Sequence, residues 1–76
     1  MKITVRSALM SDKIKDLFNG QTINGVNYEF LGKQGIELLF DVQGENIENL
    51  DVVAITKSAI KGTEYGKGLY FSVTVK

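Results

Sequence analysis

The sequence predicts a small α+β domain, with two helices packed on one face of a four-stranded antiparallel sheet. Three observations support this prediction. The chain has 76 residues and a hydrophobic content of 43%, which is typical of a globular domain. A β-hairpin pattern occupies its middle, and helix-like segments lie on either side of that hairpin. A chain of this length forms one domain, residues 1–76.

The first quarter of the chain predicts a strand followed by a helix. Apolar and polar residues alternate across Lys2–Arg6, which is the period of a half-buried strand. Over residues 7–20, Ser7 or Ser11 is a candidate N-cap, and Gly20 suits the left-handed position that ends a helix. Four apolar residues of this segment fall at helical spacing: Met10, Ile14, Leu17 and Phe18.

The hairpin is the clearest feature of the sequence. The turn-rich segment Gln21–Gly25 contains Asn-Gly, a strong tight-turn signal, and a strand follows over Val26–Leu31. We expect Gly32–Gly35 to reverse the chain and Ile36–Val42 to form the returning strand. In both strands the apolar residues alternate with other residues, so each strand has one face suited to a core: Val26, Tyr28, Phe30, Ile36, Leu38, Phe40 and Val42.

Residues 45–61 carry two conflicting signals. Several β-branched residues favour a strand, namely Val52, Val53, Ile55, Thr56 and Ile60. However, acidic residues precede lysines along the segment and Gly62 follows it, as the helix macrodipole and a glycine stop require. We therefore expect a helix over most of Asn49–Lys61, with a strand as the alternative.

The end of the chain predicts a glycine-rich loop, Gly62–Gly68, and a last strand, Leu69–Val75. The loop lacks P-loop spacing and precedes a strand, so we interpret it as a flexible connector. The complete order is strand, helix, strand, strand, helix, strand, which is the ferredoxin-like βαββαβ pattern. If residues 49–61 form a strand, the alternative is one helix on a five-stranded sheet.

The composition argues against most catalytic chemistry. The chain has no cysteine and no histidine, which excludes thiol chemistry, a histidine base and the usual ligands of zinc. We therefore expect no enzyme activity, no cofactor and no metal. No apolar run approaches the roughly 20 residues of a membrane span, and the N-terminal residues lack the apolar core of a signal peptide. We expect a cytoplasmic protein without a membrane partner.

Nucleic-acid binding is the runner-up function. The net charge is zero, with nine basic and nine acidic residues, whereas phosphate binding usually needs a basic excess. We expect Tyr70 to be the one aromatic residue on the open face of the sheet, where bases could stack. The candidate contacts for weak RNA or DNA binding are Lys33, Lys61, Lys67 and Tyr70.

Self-association is the function that the sequence favours. In the ferredoxin-like order the second and fourth strands are the sheet edges, and Leu69–Val75 contains neither proline nor charge to protect an edge. We expect a non-enzymatic interaction module that forms a homodimer through this edge or through the open face. A ligand-sensing regulatory domain is the third candidate. The candidate interface residues are Leu31, Leu39, Tyr70, Ser72, Val73 and Thr74.

Overall fold

A computed structural model describes residues 1–76 and contains two α-helices and a five-stranded antiparallel sheet. The helices are α1 (Ser11–Phe18) and α2 (Val52–Lys61), and 3₁₀ turns occupy Ile47–Asn49 and Tyr65–Gly68. The strands are β1 (Lys2–Arg6), β2 (Thr22–Ile23), β3 (Val26–Gln34), β4 (Glu37–Gln43) and β5 (Ser72–Val75). They lie in the order β2-β3-β4-β1-β5, so β1 lies inside the sheet between β4 and β5, and β5 forms an edge.

The helix expected over most of Asn49–Lys61 is confirmed, with α2 beginning at Val52. An Asp51 carboxylate oxygen accepts a hydrogen bond from the Ala54 amide at 3.0 Å, which caps the first turn. Val52, Thr56 and Ile60 are buried at a spacing of four residues, so the β-branched side chains form the core stripe of a helix.

The sheet has five strands, the number in the alternative prediction, but the additional strand comes from a different segment. Thr22 and Ile23 form β2, which pairs with the start of β3. The turn between them is Asn24-Gly25, with φ angles of 49° and 84°, the backbone that an Asn-Gly hairpin turn requires. The predicted turn was therefore right, and the short strand before it was missed.

Helix α1 begins later than the predicted segment, and neither candidate serine caps it. Met10 occupies the N-cap position in a left-handed conformation, with φ at 62°, and no side chain accepts a hydrogen bond there. Ser7 is buried instead, and its hydroxyl donates to the Leu9 carbonyl. Met10, expected on the buried stripe, is exposed, whereas Ile14 and Phe18 are buried as expected.

The hairpin turn is shorter than Gly32–Gly35. A β-bulge at Leu31 shifts the register between Phe30 and Gly32, and β3 continues to Gln34. The turn is then Gly35-Ile36, with Gly35 at a φ of 61°, and Ile36 is exposed rather than part of the core face. One extra residue in β3 also reverses the faces beyond it, so Lys33 pairs with Leu38 on the helix side.

A single hydrophobic cluster joins the sheet to both helices. Its centre is aromatic, because the Phe18 ring of α1 lies 4.6 Å from the Tyr28 ring and 5.7 Å from the Phe40 ring, measured between centroids. Twelve apolar residues form the cluster: Ile3, Val5, Ile14, Phe18, Val26, Tyr28, Leu38, Phe40, Val42, Val52, Ile60 and Val73. Neither helix is long and apolar enough to cross a bilayer.

Candidate functional site

The outer edge of β5 is one of the two edges of the sheet, and no strand pairs with it. At the opposite edge, β2 pairs with the start of β3, and the residues that precede β2 also form hydrogen bonds to β3. The Gly20 amide donates to the Tyr28 carbonyl, and the Tyr28 amide donates to the Gln21 carbonyl. An Asn19 side-chain oxygen accepts from the Phe30 amide at 3.2 Å. The prediction that Val26–Leu31 is a free edge is therefore wrong.

The hydrogen-bond pattern shows which backbone groups of β5 are free. The register pairs Thr4 with Thr74, and the Lys76 amide donates to the Lys2 carbonyl at 2.9 Å. Antiparallel pairs alternate between bonded and non-bonded residues, so the even-numbered residues of β5 bond to β1. The N–H and C=O groups of Val73 and Val75 consequently face away from the sheet, where no strand pairs with them.

The paired part of the last strand is shorter than the predicted Leu69–Val75. Strand β5 begins at Ser72, which pairs with Arg6, the last residue of β1. Tyr70 lies beyond the paired residues and is 96% exposed. Thus Tyr70 is not part of the sheet face, although it is close to the edge in sequence.

The predicted interface residues fall into two separate groups. Tyr70, Ser72, Val73 and Thr74 follow the β5 edge. Leu31, at the bulge of β3, and Leu39 of β4 lie on the other side of β1, so β3 is three strand spacings, or about 14 Å, from β5. Leu31 is exposed and Leu39 half-buried. One interface along β5 therefore contains the first group and leaves Leu31 outside.

The open face has a shallow depression of about 210 Å³ next to the bulge. Gly32 and Leu39 line it together with five polar residues: Thr4, Lys33, Gln34, Glu37 and Lys76. The volume is below the roughly 300–1,000 Å³ of typical small-molecule sites, and the lining has only one hydrophobic residue. This geometry offers little support for a ligand-sensing role.

Opposite charges on the open face lie across from one another on neighbouring strands. Arg6 is opposite Glu37, with 3.9 Å between Nε and Oε1, and Lys2 is opposite Asp41. The Thr4 and Thr74 hydroxyls are 2.7 Å apart on the same face. Exposed pairs of this kind contribute about 0–1 kcal/mol to stability, but they reduce the charge that a phosphate would encounter.

The predicted nucleic-acid contacts lie at one end of the sheet, where β1 ends and β4 and β5 begin. Lys61 ends α2, and Lys67 and Tyr70 lie in the connection to β5. Lys33 is at the end of β3, and its ammonium group donates to the Ser11 hydroxyl at 2.9 Å. Tyr70 offers the only highly exposed aromatic ring there, so the arrangement provides scattered cations and little stacking surface.

The segment Gly62–Gly68 is packed against the protein, contrary to the prediction of a flexible connector. The Thr63 hydroxyl donates to the Ile60 carbonyl at 2.6 Å and accepts from the Gly66 amide at 3.0 Å. Gly66 is buried, and the Tyr65 hydroxyl donates to the Lys13 carbonyl of α1 at 3.2 Å. The segment therefore connects the end of α2 to the start of α1.

Sequence reasoning missed two features of the candidate site. Val75 lies on the same face of β5 as the buried Val73, but it is 55% exposed at the edge. Leu9, Met10 and Ile36 are also exposed, whereas Met10 and Ile36 were expected on core-facing positions. Alternation predicts faces, but it cannot indicate which backbone groups lack a partner, since that depends on strand order.

Comparison with protein-family models, with curated proteins and with solved structures finds no match to this chain. No group of three or more acidic side chains is arranged to hold a metal ion.

Proposed function

We propose that the chain is a small, non-enzymatic protein-interaction module that associates with a second copy of itself through the free edge of β5. The observation that carries this proposal is the row of unpaired backbone groups at Val73 and Val75. Such an edge is a template for another strand, and strand addition is a common mode of protein recognition.

Three further features support pairing at this edge. The edge contains no proline or bulge, and its first charged residue is Lys76. Val75 and Tyr70 expose large apolar surfaces beside it. A domain of this size buries only about 60% of its unfolded surface, so burial between two copies adds stability that its core does not supply.

The strand order supports a ferredoxin-like architecture for this module. Without the short strand β2, the order of the long strands is β3-β4-β1-β5, with all neighbours antiparallel. That order is the one that two split βαβ units produce when each helix connects strands separated by a third. In this arrangement the last strand is an edge, which is the position that the proposed function requires.

A proline substitution at the edge tests the proposal. Val75→Pro removes an outward amide without touching the bonds to β1, and proline is tolerated on edge strands. The matched control, Val75→Ala, retains the amide and shortens the same side chain. Light scattering over a concentration series should give twice 8.4 kDa for the parent chain and Val75→Ala, and a monomer for Val75→Pro.

Circular dichroism of Val75→Pro checks that the fold is retained. A parent chain that remains at 8.4 kDa at several hundred micromolar would refute self-association. If Val75→Pro is folded and as dimeric as the control, the edge of β5 is not the interface. Val73→Pro is a poorer probe, because Val73 is 5% exposed and belongs to the core.

A further inference from the structure

A dimer formed through β5 has two outer edges, and each of them belongs to the β2–β3 side of one copy. This follows from the strand order β2-β3-β4-β1-β5, because the two β5 strands then lie at the centre of the joined sheet. A two-fold axis uses the same edge of both copies, which closes that interface. Whether a third copy can add to the sheet therefore depends on the backbone groups of β3.

The first half of β3 offers no free backbone amide to another strand. Its start pairs with β2. The amide and the carbonyl of Tyr28 both bond to the segment that precedes β2, and the Phe30 amide donates to the Asn19 side chain at 3.2 Å. A strand from another copy cannot pair with this half of β3 unless residues 19–23 move away.

The second half of β3 presents the outward groups of a single residue. Gln34 and Glu37 flank the two-residue turn and form a bonded pair, so the alternation makes Gly32 the preceding residue that bonds to β4. The amide and the carbonyl of Lys33, which lies between Gly32 and Gln34, face away from the sheet, where no strand pairs with them. By comparison, β5 presents the outward groups of two residues.

The bulge separates Lys33 from the rest of this edge. Leu31 has no partner on β4, and the register shifts between Phe30 and Gly32. A bulge bends its strand and increases the local twist, so the outward groups on its two sides do not form one straight row. The exposure of Leu31 follows from this irregularity and does not require an interface there.

Lys33 itself opposes pairing with a second β3. Because it is the one residue beyond the bulge with outward groups, two β3 strands related by a two-fold axis must place Lys33 opposite the partner's Lys33. Like charges directly opposite each other on neighbouring strands are destabilising. The Lys33 ammonium group also donates to the Ser11 hydroxyl at 2.9 Å, and an added strand would remove this charged group from water.

We infer, building on the proposed function, that the β3 edge is closed to strand addition, so that association through β5 stops at a dimer. Short edges, bulges and edge lysines are features with which proteins prevent edge-to-edge growth, and β3 has all three beyond Phe30. Strand β5 has neither a bulge nor a charged residue within Ser72–Val75. The same sheet therefore has one edge that pairs and one that does not.

Removal of these features should convert the dimer into longer assemblies. The open-edge variant lacks Leu31 and carries Lys33→Thr. Loss of Leu31 makes the strand regular, because Phe30 and Gly32 keep the β4 partners that they have in the parent chain. Light scattering of this variant should give a mass above twice 8.4 kDa that increases with concentration. The parent chain and the matched control Lys33→Arg should remain at twice 8.4 kDa.

Two further variants make the result specific to the edges. Addition of Val75→Pro to the open-edge variant should reduce the larger assemblies to dimers, because only the β3 edges then remain. Circular dichroism checks that the open-edge variant is folded. If it is not, the combination of Asn19→Ala with Lys33→Thr takes its place, since it frees the Phe30 amide and keeps the chain length.

The outcomes separate this inference from the proposed function. A parent chain that grows beyond a dimer would overturn the closed β3 edge and leave self-association standing. A folded open-edge variant that stays dimeric would overturn it as well. A monomeric parent chain would refute the proposed function, and in that case a dimeric open-edge variant would still show that the bulge and Lys33 close β3, whereas a monomeric one would refute both.

Discussion

One buried hydroxyl pair links the sheet to α2. The Thr56 hydroxyl donates to the Val52 carbonyl at 2.7 Å, which uses its only proton. The Tyr28 hydroxyl, 2.8 Å from the Thr56 oxygen, is therefore the donor in their mutual hydrogen bond. Burial raises the pKa of Tyr28 above its ordinary value of 10.0, so the folded protein retains the neutral hydroxyl that can donate.

We predict that Tyr28→Phe lowers the free energy of unfolding by about 1 kcal/mol near neutral pH, since one buried hydrogen bond is lost while Thr56 keeps its bond to Val52. A raised pKa means that the stabilisation from the neutral hydroxyl is fully present below pH 10 and is lost as pH rises through the folded-state pKa. Urea unfolding from pH 8 to 11 should show the difference between parent and variant shrinking above pH 10.

Tyr70→Phe is the control for this series, because the Tyr70 side chain is 96% exposed. Its stability should follow that of the parent chain at every pH. A Tyr28→Phe difference that remains constant to pH 11 would contradict the buried-donor assignment.

At the scale of elements, the 3₁₀ turn Tyr65–Gly68 determines how the chain passes from α2 to the last strand. The Ile60 carbonyl, at the end of α2, accepts from the Thr63 hydroxyl and from the Thr63 amide at 3.1 Å. Gly66 packs so closely on this carbonyl that a Cβ atom would collide with it. The glycine is therefore required by close approach and not by a positive φ angle.

We predict that Gly66→Ala lowers the free energy of unfolding by about 1–3 kcal/mol, because backbone atoms must move to admit the methyl group. Gly68→Ala, two residues later, adds a methyl group with no heavy atom within 4 Å and should change stability by less than about 0.5 kcal/mol. Thermal unfolding of the two variants is the measurement. Equal changes in the free energy of unfolding for the two variants would contradict the prediction, because they would show that the backbone around Gly66 accommodates a methyl group without cost.

For the whole molecule, the net charge is zero, but basic and acidic residues are distributed unequally between the two ends of the sheet. One end of the sheet, where β1 ends and β4 and β5 begin, is called the loop end here. Its five basic residues are Arg6, Lys13, Lys33, Lys61 and Lys67. Its three acidic residues are Asp12, Glu37 and Glu64. The remaining four basic and six acidic residues lie elsewhere, among them the acidic residues that precede α2. The end that carries these lysines also carries the exposed Tyr70, so it is the candidate surface for nucleic acid.

We predict no more than weak binding to single-stranded RNA or DNA, with dissociation constants above about 10 µM even at 50 mM salt. The basic excess at the loop end is small, and one exposed aromatic ring offers little stacking. Fluorescence anisotropy with a labelled oligonucleotide measures this. Micromolar or tighter affinity that Tyr70→Ala weakens, and that Leu31→Ala does not, would support nucleic-acid binding over self-association.

The sequence by itself determined the types of the main elements. Period-two alternation identified β1 and the two hairpin strands, and the order of charges over residues 45–61 outweighed the β-branched residues and identified α2. Asn24-Gly25 identified a turn because its left-handed backbone is a local property of those two residues. Such signals depend only on neighbours in the chain, so one sequence is enough to read them.

Tertiary structure decided the features that depend on distant residues. The bulge at Leu31 moved Lys33 to the helix side, and Asn19–Ile23 covered the edge of β3 that the sequence left free. The register pairs Ser72 with Arg6, the last residue of β1, so the pairing between β1 and β5 ends there. Which backbone groups of β5 face outward follows from strand order and register, because a hydrogen bond requires a partner that the local sequence does not contain.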